Sequence, residues 1–216
     1  MSTAYILGNG KSRLVVDLNL LKTKGKVYGC NALYRSFVPD CLVATDRPIA
    51  EEIQKSGYSK NYRFHTRKPI PHLGALPLEN KYKGYSSGPN AAALACLDGH
   101  TDIFLIGFDL GTTNGMFNNV YVDTKFYKTQ LQPPTFAGNW VRQLIELAKE
   151  FDNVNFTRME GPESAFVKQF VSLPNMNIQS MEVVAKDAKQ GREQATLAVS
   201  AAASVKAELA QLRAAG

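Results

Sequence analysis

Five short polar segments of the chain carry residue types able to do chemistry, and four of them follow an apolar run. Gly8-Asn9-Gly10-Lys11-Ser12 follows Ala4-Tyr5-Ile6-Leu7, and Asn31 follows Val27-Tyr28-Gly29-Cys30. Asp46 follows Cys41-Leu42-Val43-Ala44, and Asp109 follows Asp102-Ile103-Phe104-Leu105-Ile106-Gly107. The fifth, Ser86-Ser87-Gly88, opens an alanine-rich stretch that Gly99 stops. Glycines let a backbone approach a ligand closely, and free amides at a helix start attract an anion. Asp46 and Asp109 are candidates for ribose acceptors or general bases, and Asn31 for reading ribose or base. The same residue types also make tight turns and caps for backbone reasons alone, so their shared location matters more than any one of them.

Two familiar phosphate loops do not fit the first segment. A Walker loop ending at Gly10-Lys11-Ser12 needs glycine at position 5, which is Tyr5. A dinucleotide fingerprint beginning at Gly8 needs a third glycine at position 13, which is Arg13. His65, His72 and His100 have no metal-ligand spacing. Cys30, Cys41 and Cys96 match no zinc or redox pattern, which predicts three buried free thiols in a reducing compartment.

The elements that must position these residues are short and alternate. Strands are expected at 4–7, 27–30, 41–44, 62–65, 102–107 and 154–157. Helices are expected at 48–55, 91–97, 140–151 and 164–171, with 67–84 as a loop. Alternation of this kind predicts an α/β fold with a doubly wound, Rossmann-like, mostly parallel sheet, in which ligands bind beyond the carboxyl ends of the strands. A hydrophobic share of 44% and a net charge of +6 exclude a disordered chain. No segment is apolar for long enough to span a membrane, and the opening residues do not read as a signal peptide. Without a dense basic run or aromatic–basic interleaving, nucleic acid is a disfavoured partner.

Beyond Pro174 the pattern changes. Small or apolar residues fall at 181, 184, 188, 191, 195, 198, 202, 205, 209 and 212, an unbroken 3-4 heptad. The expected organisation is therefore an α/β domain at 1–174 and a C-terminal helix in 175–216. That helix, at about 177–215, would be about 58 Å long and would serve self-association or docking into a larger assembly.

Ile6 to Ser12, Cys30-Asn31-Ala32-Leu33-Tyr34, Ser86-Ser87-Gly88 with its alanine helix, and Ile103 to Asp109 together resemble motifs of the bacterial family 42 glycosyltransferases. These are sialyltransferases that use a cytidine-monophosphate sugar. Related phage and bacterial proteins share the Gly-Asn-Gly opening. The resemblance spans roughly residues 4–157. It implies donor binding by Gly8, Asn9, Gly10, Ser12, Asn31, Ser86, Ser87 and Gly88. Asp109, Tyr121 and Asp46 are then the catalytic candidates, with Tyr121 supporting the departing phosphate. The family's general-base histidine falls at Thr135, and Leu110-Gly111 stand where a phosphate-binding tyrosine belongs. The expectation is a nucleotide or nucleotide-sugar binder with no resident cofactor and little or no sialyl transfer. The rival expectation is a virion-associated structural phage protein that reuses the fold. The expected location is the host cytoplasm or a virion.

Overall fold

Apolar runs of four to six residues, separated by turn-forming residues, give a parallel sheet with helical crossovers. The computed structural model describes residues 2–112, 115–133 and 135–181. In chain order the elements are β1 (Thr3–Leu7), α1 (Leu18–Lys24), β2 (Lys26–Cys30), β3 (Cys41–Ala44), α2 (Arg47–Lys55), α3 (Tyr58–Asn61), β4 (Phe64–Thr66) and β5 (Leu76–Pro77). They continue with α4 (Ser87–Leu97), β6 (Asp102–Ile106), α5 (Gly138–Glu150), β7 (Asn155–Glu160), α6 (Lys168–Val171) and β8 (Met176–Ser180).

One sheet holds all eight strands in the order β5-β4-β3-β2-β1-β6-β7-β8. The pairs from β5 through β7 are parallel. Leu7 on β1 sits in register with Gly29 on one side and Ile106 on the other. The chain leaves β1 toward β5 and then returns to place β6 on β1's other flank. That reversal makes the gap between β1 and β6 the topological switch point, where loops diverge and leave a crevice.

Helix α4 is the crossover that makes the return. Its residues Ala91, Ala92, Ala93 and Ala95 are fully buried, and their small side chains let the helix lie close on β1, β2, β3 and β6. α5 covers α4 in turn, contributing Leu144, Leu147 and Ala148 to the core. Cys30, Cys41 and Cys96 are free and buried, as their apolar surroundings predict.

Most expected elements are present, with five differences. The helix expected at 164–171 forms only over Lys168–Val171, and a four-residue helix, α3, stands at Tyr58–Asn61 where none was expected. α1 follows β1 although only Leu21 on it is buried; the Asp17 carboxylate caps it by accepting from the Asn19 and Leu20 amides. The expected loop at 67–84 contains the two-residue strand β5. Residues 176–180, expected to lie partly in the C-terminal helix, form β8, an edge strand for which Met176 and Ile178 supply enough apolar surface. The sheet therefore extends past residue 174. A compact unit ends at Gln179, and Ser180 begins a second one. The remainder of the expected helix, 182–216, lies outside the described residues.

Candidate functional site at the switch point

The loops after β1, β2, β3, β4 and β6 and the start of α4 converge on one cleft of about 330 Å3. Its size falls at the lower end of small-molecule sites, which run roughly 300–1,000 Å3. Nine of the eleven residues singled out in the sequence line it: Gly8, Asn9, Gly10, Asn31, Asp46, Ser86, Ser87, Gly88 and Asp109. Ser12 and Tyr121 are buried and do not line it.

The glycine loop spends most of its polar groups on the protein itself. The segment after it is a 3-10 turn, Lys11–Val15, too short to supply a helix start. Four of the loop's five amides, all but that of Asn9, are already used inside the protein. Gly8 donates to the Ile106 carbonyl at 2.8 Å and Gly10 to the Gly107 carbonyl at 2.9 Å. The Lys11 amide donates to Asn118 Oδ1 at 2.9 Å and the Ser12 amide to Asp109 Oδ2 at 3.1 Å. A Cβ at Gly8 would strike the Gly107 carbonyl, and one at Gly10 would strike the Asp109 carboxylate. The glycines are there so that the loops after β1 and β6 can touch each other.

Asp109 is the hub of that contact. Its carboxylate accepts from the Ser12 amide and hydroxyl, from Asn118 Nδ2 at 2.9 Å and from Ser164 Oγ at 3.3 Å. With four donors on two oxygens and 3% exposure, it holds loops together rather than waiting for a substrate proton. Arg158, fully buried, clamps the same loop by donating to the carbonyls of Phe108, Asp109 and Ala165. Tyr121 is tied behind the β1 loop: its hydroxyl accepts from Arg13 at 2.9 Å and bonds Ser36 Oγ at 3.2 Å. Arg13 also donates to the Gly8 carbonyl and to Asn9 Oδ1, while Asn9 Nδ2 donates to the Tyr127 hydroxyl.

The groups that remain free lie at the other strand ends. Ser87 Oγ donates to Asn31 Oδ1 at 2.8 Å and accepts from the Thr45 amide at 3.0 Å. This chain fixes the Asn31 carboxamide, at a residue with φ of 52°, and leaves its Nδ2 without a partner among the described residues. The Ser86 amide donates to Gln143 Oε1, but the Ser87 and Gly88 amides, in the first turn of α4, make no hydrogen bond among the described residues. Asp46 stands at the start of α2 yet makes no capping bond, and its exposed carboxylate is unpaired among the described residues.

Several cleft residues carry no sequence signal that singled them out. Arg67, Phe136 and Trp140 all line it. Arg67 immediately follows β4, so a correct strand boundary would have found it; the expected strand ended at 65, one residue short. Phe136, 77% exposed, follows Thr135 just before α5, and Trp140 lies in the first turn of that helix. Cys30 also lines the cleft, but burial pushes its thiol up to about 12, which removes it as a nucleophile near neutral pH. His65 lies at 8% exposure against the Pro77 carbonyl and His100 against Ser2, both away from the cleft lining. No group of three potential metal ligands occurs among the described residues.

Fold and site together define a Rossmann-like α/β protein with a ligand-sized cleft at the switch point of its sheet. No family model matches the chain, and no curated protein or solved structure matches it.

Proposed function

We propose that the chain binds a nucleotide or nucleotide sugar in the switch-point cleft, acting by binding rather than by sialyl transfer. One observation carries this reading. Five strand-end loops and a helix start converge on one cleft, and its wall keeps the Ser87 and Gly88 amides and Asn31 Nδ2 as unspent donors. Donors of this kind at the start of an eleven-residue helix suit a phosphate. The exposed ring of Phe136 and the partly buried ring of Trp140 suit a base or sugar face. Asp46 is the acceptor at hand for ribose hydroxyls. Transfer chemistry is disfavoured because the Asp109 carboxylate is occupied, Tyr121 is outside the cleft lining, and threonine stands at 135.

Titration calorimetry with cytidine and uridine nucleotides tests the reading. The expected outcome is saturable binding that Asn31→Ala weakens by about tenfold, as for loss of one oriented hydrogen bond to a charged group. Asp46→Asn should weaken ribonucleotides more than their 2′-deoxy counterparts. An absence of heat and of any melting-temperature shift at millimolar nucleotide would reject the proposal.

A further inference from the structure

Arg67 supplies a positive charge to the cleft, and its hydrogen bonds do not neutralise it. Its guanidinium donates to the Lys83 carbonyl at 2.6 Å, to the Tyr85 carbonyl at 2.9 Å and to the Thr45 carbonyl at 3.4 Å. All three acceptors are uncharged. Arg35 and Arg63, by contrast, meet a carboxylate, Glu52 at 2.7 Å and Asp98 at 2.5 Å. Arg13 also meets none, but it is buried outside the cleft lining. No acidic side chain pairs with Arg67 among the described residues.

A guanidinium has five N–H groups. Nε uses its one on Lys83, and each terminal nitrogen uses one of its two. One N–H therefore remains on Nη1 and one on Nη2 for the oxygens of an oxyanion. The side chain is also held before any ligand arrives, because two of its carbonyl partners lie in the segment leading into α4. Fixing a flexible arginine in advance lowers the entropy lost on binding.

We infer that Arg67 anchors the anionic group of the cleft's ligand, and that this group is a phosphoryl or similar oxyanion rather than a neutral sugar or base edge. The inference rests on the nucleotide reading above and adds the residue that selects for charge.

The test is calorimetry on the full chain with cytidine 5′-monophosphate, cytidine and inorganic phosphate, for the wild type, Arg67→Gln and Arg67→Lys, at low and high salt. The wild type should prefer the nucleotide to the nucleoside by about ten- to a hundredfold. That preference should fall with salt, while cytidine binding should not. In Arg67→Gln the preference should drop to near one with cytidine affinity kept, and Arg67→Lys should lie between. A merely structural arginine would lower the melting temperature of Arg67→Gln and leave the preference intact, which would overturn the inference while the nucleotide reading stood. Binding of neither cytidine compound by the wild type would instead overturn the nucleotide reading itself. Should Arg67→Gln not fold, a full, salt-independent preference retained in Arg67→Lys would overturn the inference equally.

Discussion

The Asp109 carboxylate accepts four hydrogen bonds, while that of Asp46, also placed just beyond a strand, accepts none among the described residues. The difference comes from position in the sheet. β6 lies next to the switch point, where several loops crowd one carboxylate, whereas Asp46 stands exposed at the start of α2. Nothing local in the sequence separates the two, because the partners of Asp109 at Ser12 and Ser164 are 97 and 55 residues away. Glu52 shows a third use of a carboxylate. Lys125, Arg35 and Tyr34 all donate to it and lower it from 4.5 to about 2. A carboxyl depressed on folding adds stability above its unfolded value, and that stability is lost as pH falls from about 4.5 toward 2. Glu52→Gln should therefore cost about 1 kcal/mol at pH 7 and almost nothing near pH 2, read from urea midpoints at both. A cost that does not change with pH would show that packing, not charge, is what the residue provides.

At the scale of elements, the loops after β1 and β6 form one welded unit. Gly8 and Gly10 donate into it, Asp109 ties its side chains, and Arg158 braces it from β7. Gly10→Ala would push a methyl into the Asp109 carboxylate, and should destabilise the chain by about 1–3 kcal/mol. The substitution should leave nucleotide affinity, relative to folded protein, within about twofold, because the free donors are on α4 and Asn31. Loss of binding in a folded Gly10→Ala chain would return the glycine loop to a phosphate role. β1, β3 and β6 were legible because buried parallel strands read as continuous apolar runs. α1 was not, since it buries one leucine and presents lysines; its readable signal was the Asp17 cap. Arg67 was lost through a strand end misplaced by one residue, enough to turn a strand-end residue into an anonymous loop position.

At the scale of the whole molecule, the sheet ends with β8 rather than at Pro174. The heptad that begins at Met181 drew the expected helix back over 177–180, because Met176, Ile178 and Met181 fit either period over so short a span. A chain ending at Met181 should therefore keep its cooperative melt, whereas one ending at Pro174 should melt lower or not cooperatively, having lost the edge strand that pairs with β7. The proposal that residues 182–215 mediate assembly has its own readout. Light scattering should give a larger particle for the full chain than for the chain ending at Met181, and equal masses would remove assembly from the account. No helix among the described residues is long and apolar enough to cross a membrane.

The claim that matters most is that a nucleotide sits against α4 and not on the glycine loop. Amide hydrogen exchange of the full chain, with and without saturating cytidine 5′-monophosphate, tests it directly. The Ser87 and Gly88 amides are unbonded among the described residues, whereas those of Gly10, Lys11 and Ser12 are already bonded. The nucleotide should slow exchange at Ser87 and Gly88 and leave Gly10, Lys11 and Ser12 unchanged. Protection confined to Gly10–Ser12, or no protection anywhere in the cleft, would contradict the account.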